Sequence, residues 1–503
     1  MQRHRLLTSI AVMSATVMQV IDTTIVNVAL PQMQGQLGAT PDQISWVLTS
    51  YLVASAIVMM LTGYLTDRLG QRRLLIASIA GFTITSALCG IANSLEEMVA
   101  FRLLQGIFGA ALVPLSQSIM LQIFPQEERG RAMAIWGVGV MVGPILGPTL
   151  GGWLTDAASW RWTFFINLPV GIFSALLTWR VVANSPLRER RMDWWGLAYL
   201  IVTISGAQFV LDRGSQLDWF SSTQIQIAAT LSILSLLAYV WHSLQMREHA
   251  IINPLIFRDR NFATSSLLLA IFGLGLFGTL MLQPLMLANL FAYPALTIGF
   301  ALAPRGIASM ISMMVVGRII RRVDPRLLIA SGITIFTFGS YLTTQYSLNI
   351  DIFWIVVPAI IQGFGLGLVF VPLSTVAFST LEPRFAAEAA GVYSVLRTIG
   401  SAIGISIVAK VLTDHAQIAW NQLGGALHEG NPALRDYLAQ AQLGIHAPSV
   451  APLLATELGR QSQMLGILDA FFLVTWSFAA MLPLLLVLRL PKKTGAAAAP
   501  GKG

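Results

Sequence analysis

The chain has 503 residues, of which 55 % are hydrophobic and only 11 % are charged. An average soluble domain carries about 25 % charged residues, so this composition excludes a globule that folds in water. The net charge of +8 is spread over short segments between apolar runs. This distribution indicates membrane topology and excludes a nucleic-acid-binding patch.

Apolar runs of about 20 residues, the length that crosses a hydrocarbon core, recur along the chain. Bounded by charged residues or Pro, they predict an all-α integral membrane protein with 14 transmembrane helices. The first run continues past Asp22 without a convincing cleavage site, so we interpret it as a retained helix and not a signal peptide. The predicted spans are 8–30, 45–66, 74–92, 98–122, 132–155, 163–183, 194–211, 224–243, 262–288, 296–317, 327–347, 352–376, 386–412 and 465–488.

The basic residues predict the orientation of these spans. An even number of spans places both termini on one side of the membrane. If that side is the cytoplasm, the large majority of the 31 Lys and Arg residues lie there, as the positive-inside rule requires. We therefore expect a multi-pass protein of the bacterial inner membrane with both termini cytoplasmic.

An internal repeat divides the chain into two halves. Gln105-Gly106 recurs as Gln362-Gly363, and Gly143 and Gly147 recur as Gly400 and Gly404, each about 257 residues later. Parallel six-helix repeats around a midplane site are typical of transporters. The predicted units are a first six-helix half (1–193), two inserted transmembrane helices (194–243), a second six-helix half with a long periplasmic loop at 413–464 (244–490), and a disordered cytoplasmic tail (491–503).

Asp22 is the one carboxylate that falls well inside a predicted span. A charged Asp at mid-helix costs about 2.5–3.5 kcal/mol on insertion scales, so its presence requires a reason. A buried carboxylate favours proton uptake and a nearby cation favours release, so such a group can couple transport to protons. Gln19 and Asp22 share one helix face, which we expect to line a cavity. The alternative is a structural Asp that only caps or pairs with a neighbouring helix.

Arg102 and Gln105 share a face of the fourth span, and Arg102 is the natural counter-charge for Asp22. The second half has Ala359 at the position of Arg102 and carries Arg397 on its penultimate span instead. We expect Gln19, Gln105 and Arg397 to line the substrate cavity. Arg397 could alternatively tie two helices together through bonds to backbone carbonyls.

The fifth span carries four glycines at four-residue spacing and two prolines. Stacked glycines form a flat groove for close helix packing, and each Pro removes a backbone hydrogen bond and bends the helix. We interpret this helix as the conformational element of transport, with helix dimerisation as the alternative. Its residues are Gly139, Gly143, Pro144, Gly147, Pro148 and Gly151.

The loop between the second and third spans combines paired glycines, an acid and several arginines. We expect it to act as a cytoplasmic latch that holds neighbouring helices by charge-assisted hydrogen bonds. Simple positive-inside anchoring is the alternative, and it explains the arginines but not the acid or the glycines. The predicted latch residues are Gly63, Asp67, Arg68, Gly70, Arg72 and Arg73.

Six segments resemble motifs of the major facilitator superfamily. The latch loop resembles its signature loop, 102–110 its fourth-helix motif, and 143–152 the motif typical of antiporters. Segments 21–31 and 160–169 resemble the 14-span drug:proton antiporter branch, and 211–222 resembles EmrB-type multidrug exporters. The resemblance implies that Asp22 and Arg102 act in proton coupling. It also implies a periplasmic adaptor (a membrane fusion protein) and an outer-membrane channel as partners.

The sequence thus predicts a proton-coupled antiporter that exports small lipophilic compounds by alternating access, as part of a tripartite efflux pump. Uptake or uniport of a small metabolite by the same fold is the alternative. The six histidines lie outside or at the ends of the spans, so we expect no metal site, no cofactor and no enzyme activity. One deep carboxylate against the intramembrane cations Arg102 and Arg397 favours neutral or weakly acidic substrates over dications.

Overall fold

The computed structural model describes residues 2–188, 191–428, 430–440 and 450–488. The predicted tail 491–503 lies outside the described residues. Within them, 13 helices are long and apolar enough to cross a membrane, and one bent helix pair brings the number to 14. The number of spans predicted from the sequence is confirmed.

The helices follow the chain as 14 elements, of which two consist of two pieces. In the first half these are α1 (Gln2–Gln36), α2 (Trp46–Met60 and Thr62–Leu69), α3 (Gln71–Ile91), α4 (Leu95–Gly109 and Leu112–Ile123), α5 (Arg129–Ala157) and α6 (Asn167–Val181). The inserted pair is α7 (Trp194–Arg213) and α8 (Thr223–Met246). The second half comprises α9 (Arg260–Asn289), α10 (Ala295–Ile319), α11 (Pro325–Thr343), α12 (Ile352–Ala377), α13 (Ala386–Gly424) and α14 (Val450–Ala479).

The packing of the first half repeats in the second. Helix α1 packs on α5 and α6, while α4 packs on α2 and α3. In the second half α9 packs on α13 and α14, while α12 packs on α10 and α11. Two seams join the halves, one between α5 and α10 and one between α2 and α13. The two seams are counterparts, because α2 and α5 correspond to α10 and α13 in the repeat.

Glycines set the closest helix contacts in both halves. A Cβ on Gly143 would lie 2.4 Å from Cγ1 of Val20, and one on Gly147 would lie 1.9 Å from the hydroxyl of Thr24. In the second half a Cβ on Gly400 would lie 2.0 Å from the carbonyl oxygen of Ala270. Only glycine therefore allows α5 and α13 to approach α1 and α9 this closely.

The second predicted span is not one straight helix. Its two pieces meet at Leu61 and are bent by 58°. Directly after the break lies Gly63, where a Cβ would be 2.6 Å from Cβ of Glu388 on α13. The bend thus brings the end of α2 against the second half, a tertiary contact that periodicity along the chain does not show.

The segment 413–464, predicted as a loop of mixed polarity, is largely helical. Helix α13 continues to Gly424, about ten residues or about 15 Å beyond the position that corresponds to the end of α5. Helix α14 already begins at Val450 and packs along this extension, and the short helix Pro432–Gln440 lies between them. Residues 441–449 lie outside the described residues. We call α13 from residue 413, the short helix and α14 up to residue 464 the outer hairpin.

The inserted pair α7 and α8 packs on itself and touches the two halves at α2 and α13. The hydroxyl of Thr49 on α2 donates to Asp212 Oδ2 over 2.6 Å, and the hydroxyl of Ser406 on α13 donates to the carbonyl of Leu211 over 2.9 Å. At the opposite end, Asp193 caps α7 and lies 2.8 Å from His242 of α8. The pair therefore lies beside the α2/α13 seam.

Candidate functional site

The side chains of Asp22 and Arg102 form an ion pair inside the first half. Arg102 Nη1 donates to Asp22 Oδ2 over 2.8 Å, and their side chains are 1 % and 0 % exposed. Helix α1 supplies the acid and α4 the base, and the two helices pack on each other. Removing two charges from water costs several kcal/mol per ion, so such a pair persists only when the other polar atoms are also satisfied.

Two neutral amides complete the hydrogen bonds of the carboxylate. Gln105 Nε2 and Asn167 Nδ2 both donate to Asp22 Oδ1, over 3.0 and 2.8 Å. Asn167 is the first residue of α6 and also contacts the hydroxyl of Ser86 on α3, at 3.0 Å. Asp22 therefore accepts hydrogen bonds from both α4 and α6.

The guanidinium of Arg102 is satisfied on its other sides as well. It donates to the carbonyl of Val47 over 3.2 Å and to Gln105 Oε1 over 2.7 Å. Its Cζ lies 4.3 Å from the ring centroid of Tyr51, a distance that allows a cation–π interaction. The Tyr51 hydroxyl in turn accepts a hydrogen bond from Gln19 Nε2 over 3.0 Å. We call Asp22, Arg102, Gln105, Asn167 and Tyr51 the first-half cluster.

The face of α1 that carries Gln19 and Asp22 does not line an open cavity, contrary to the expectation from its polarity. Gln19 is 6 % exposed, and Ala15 and Val26 on the same face are 0 % exposed. The face is buried against the other helices of the first half because Asp22 is held by α4 and α6. Gln105, also expected to line the cavity, is buried in the same cluster.

The glycines of α5 face α1, the helix of Asp22. Gly139 approaches Met13, Gly151 approaches Ile25, and the Thr24 hydroxyl donates to the Gly143 carbonyl over 3.0 Å. Pro144 and Pro148 lie inside one uninterrupted helix. Movement of α5 would therefore be transmitted directly to the helix that carries the carboxylate.

The predicted latch residues hold the end of α6. Gly70 has φ +82°, and a Cβ there would lie 2.4 Å from Oδ1 of Asn184. Arg72 donates to the carbonyl of Trp179, and the backbone carbonyl of Asp67 accepts from the N–H of Arg188 over 2.8 Å.

Two other latch arginines act locally or face outward. Arg68 donates to the Tyr64 hydroxyl over 2.7 Å, while Arg73 is exposed. The same end of the molecule holds the buried carboxylate of Glu388, which accepts the N–H of Asn253. The latch loop is thus tied to α6 and, through Gly63, to α13.

Arg397 on α13 is half-buried, and its guanidinium makes no hydrogen bond or ion pair with the described residues. The face with Gly400, Ser401 and Gly404 packs against α9, as the close approaches to Ala270 and Leu274 show. The alternative that Arg397 ties helices together through carbonyl bonds receives no support from these contacts.

The sequence analysis did not single out three polar residues that are buried among the helices. Asn167 and Tyr51 belong to the first-half cluster, and Arg305 on α10 is 4 % exposed. The signal for Arg305 was available, because a basic residue stands inside the apolar run 296–317. Among the described residues, no three His, Cys, Asp or Glu side chains are grouped as a metal would need.

A groove of about 630 Å³ opens on the α5/α10 seam, at the end of the molecule that carries the latch loop. Its lining combines apolar side chains, such as Ile135 and Met314, with the charged side chains of Glu128, Arg131 and Arg318. A second groove, of about 480 Å³, lies between α2 and α7.

Comparison with known proteins agrees with this architecture. Residues 12–405 match the Major Facilitator Superfamily. The chain belongs to this superfamily. The crystal structure of the human organic anion transporter MFSD10 (TETRAN) superposes with a TM-score of 0.60 over 94 % of this chain and 99 % of that chain; at 16 % identity, this shows the shared fold alone.

Within the superfamily, the chain is similar to bacterial export proteins over nearly its whole length. It is 33 % identical to the multidrug export protein EmrB of Haemophilus influenzae and 34 % identical to EmrB of Escherichia coli K12, over 95 % of this chain and 94 % of each relative. It is 34 % identical to the fatty acid resistance protein FarB of Neisseria gonorrhoeae, over 96 % of this chain and 95 % of that protein. The resemblance to the EmrB type seen in the sequence motifs is confirmed.

Proposed function

We propose that this transporter is a proton-coupled antiporter that exports small lipophilic compounds across the bacterial inner membrane by alternating access. The observation that carries the proposal is the buried first-half cluster, in which Asp22 is held by Arg102. A carboxylate in a low dielectric takes up a proton when its cation moves away and releases it when the cation returns. Export as the direction agrees with the names of the relatives.

The driving force suffices for this work. One elementary charge moved across 100 mV is worth about 2.3 kcal/mol. Since a tenfold concentration ratio corresponds to about 1.4 kcal/mol, one proton per 100 mV sustains about a forty-fold substrate gradient.

Transport in proteoliposomes tests the proposal. An imposed pH gradient should drive accumulation of a lipophilic drug in the direction opposite to proton flow, and a protonophore should abolish it. Uptake into inverted membrane vesicles corresponds to export from the cell, so these vesicles should accumulate the drug. Accumulation in right-side-out vesicles instead would favour the uptake carrier and overturn the export assignment.

We further propose that the outer hairpin docks a periplasmic adaptor, which connects the transporter to an outer-membrane channel. The hairpin extends beyond the apolar part of its helices, and Leu434, Leu438 and Val450 pack the short helix onto α14. Its surface exposes apolar side chains such as Ile418 and Leu453, which are 50 % and 39 % exposed. Exposed apolar groups grouped on a projecting element are typical of protein-binding surfaces.

A deletion tests the docking role. Removing residues 430–455 should abolish drug resistance in cells and leave gradient-driven flux of the purified protein unchanged. Removing the tail 491–503 is the control and should affect neither measurement. Full resistance in cells with the hairpin deletion would contradict the adaptor role.

A further inference from the structure

The second half contains a buried polar cluster that the proton-coupling scheme does not use. Arg305 on α10, Gln283 on α9 and Gln362 on α12 are 4 %, 1 % and 0 % exposed. Arg305 Nη1 donates to Gln283 Oε1 over 3.1 Å. Arg305 Nη2, Gln283 Nε2 and both polar side-chain atoms of Gln362 make no hydrogen bond with the described residues. Two donors on neighbouring groups are thus unsatisfied. So is the amide of Gln362, whose neighbour Gly363 packs against the backbone of Arg305.

The repeat relates this cluster to the one around Asp22. Helices α9, α10 and α12 are the counterparts of α1, α2 and α4, and Gln362 corresponds to Gln105. The position that corresponds to Asp22 is Thr279, one helical turn before Gln283, and its hydroxyl donates to the carbonyl of Gly275. The second cluster therefore has a guanidinium and amides arranged around the same three helices, but the helix that supplies the carboxylate in the first half supplies none here.

The charge balance of the two clusters differs accordingly. In the first half the charge of Arg102 is cancelled by Asp22. In the second half no carboxylate of the described residues lies within ion-pair distance of Arg305. Burial of Arg305 therefore costs more free energy than burial of the paired Arg102, because an unpaired charge in a low dielectric is costly. A guanidinium with free N–H groups binds a carboxylate through parallel hydrogen bonds, and amide N–H groups can add to them.

We propose that Arg305, Gln283 and Gln362 bind the carboxylate of a lipophilic acid during transport. This inference rests on the proposed export function and names a substrate class for it. Helix α10 also forms one seam between the halves, where Gly306 packs against Ile145 and Gly299 against Thr149. Separation of α5 from α10 uncovers the helix that carries Arg305, which gives the acid its access.

Direct binding to the purified full-length protein in nanodiscs tests the inference without any proton gradient. The probes are decanoate, decanol and decyltrimethylammonium, which share a ten-carbon chain and differ in head-group charge. Decanoate should bind at least about tenfold more tightly than the other two. Arg305→Gln should weaken decanoate binding about tenfold or more, the size expected for a lost hydrogen bond to a charged group. Arg305→Lys should retain part of it.

Two sets of controls keep the result interpretable. Arg260→Gln removes an exposed arginine at the start of α9, the helix that carries Gln283, and should leave decanoate binding unchanged. Decanol binding reports whether each variant is folded and should be equal in all of them. Thr279→Asp places a carboxylate one turn from Gln283, where it competes for Arg305, and should abolish decanoate binding, whereas Thr279→Asn should preserve it.

Three outcomes would overturn the inference. The first is equal binding of decanoate and decanol to the unmodified protein. The second is decanoate binding that Arg305→Gln leaves within about twofold of the unmodified value. The third is stabilisation of the protein by bound chloride that decanoate does not displace. This result would identify a site for a small ion. Decanoate binding without coupled flux would contradict the antiport proposal alone, while coupled drug export together with any of these three outcomes would contradict this inference alone.

Discussion

The two halves of this transporter share their helix packing but differ in the polar and charged residues of their cores. Both pack their first helix onto a glycine-lined fifth helix, and the contacts of Gly143 with Val20 have a counterpart in those of Gly400 with Ala270. The core of the first half holds an ion pair of no net charge that is hydrogen-bonded to three neighbouring residues, Val47, Gln105 and Asn167. The core of the second half holds stacked aromatic rings, including Phe336 and Phe478 with centroids 3.8 Å apart, and an arginine without a carboxylate.

The difference shows which parts of the repeat are constrained by packing and which by function. The facing helix excludes a Cβ at Gly143 and Gly147, and the corresponding positions of the second copy, Gly400 and Gly404, are also glycine. A buried charge costs free energy wherever it stands, so it is retained only where it has a task or a partner. Under the two proposals above, the first half carries the proton and the second half binds the anion.

Asp22→Asn should give the largest effect, because it removes the one carboxylate that distinguishes the first half at this depth. We expect complete loss of drug accumulation driven by an imposed pH gradient in proteoliposomes, with normal insertion and an unchanged elution volume. Asp156→Asn, an exposed carboxylate at the end of α5, is the matched control and should transport normally. Near-normal coupled flux in Asp22→Asn would assign proton coupling to another group.

Arg102→Ala should impair coupling at least about tenfold, while Arg102→Lys should keep part of it. Alanine leaves Asp22 without a cation, and breaking a buried pair costs about 3–5 kcal/mol. Lysine still carries a charge but lacks the planar donor set that reaches both Asp22 and Gln105. Flux and thermal stability measured on the same preparations separate coupling from folding. Equal flux in both variants and the unmodified protein would show that the pair is structural.

Adding a methyl group at the glycine contacts should test whether the two scaffolds are equivalent. Gly143→Ala and Gly400→Ala should each lower the stability of the protein in detergent by about 1–3 kcal/mol, since overpacking forces the backbones apart. Gly152→Ala is the control, because its nearest neighbour would be 3.9 Å away. A thermal unfolding midpoint in Gly400→Ala as high as in Gly152→Ala would mean that the α9/α13 contact tolerates separation.

Ser406→Ala should have the smallest effect of the four. It removes one hydrogen bond between the second half and the inserted pair, worth about 0.5–1.5 kcal/mol. Ser477→Ala removes only a bond within its own helix and serves as the comparison. If Ser406→Ala changed neither stability nor flux relative to Ser477→Ala, the contact of α7 with α13 would contribute to neither property.

The number of spans and the Asp22–Arg102 pair could be predicted from the sequence. A charge inside an apolar run stands out, so Asp22 and Arg102 could be paired in advance from their depth and opposite sign. Neutral residues such as Asn167 and Tyr51 carry no such signal, and only the packing of α6 and α2 shows that they belong to the cluster. The extension of α13 and α14 into the outer hairpin was not predicted, because a helical segment of mixed polarity has a weaker hydropathy signal than an apolar span.

The inserted pair makes the two seams between the halves unequal towards the lipid. Helix α7 is hydrogen-bonded to α2 through Thr49 and to α13 through Ser406, so it covers the α2/α13 seam from one side. Among the described residues, neither α7 nor α8 packs on α5 or α10, and the larger groove opens on the seam between these two helices. The repeat alone would leave the two seams alike, whereas the inserted pair covers one of them and leaves the other uncovered.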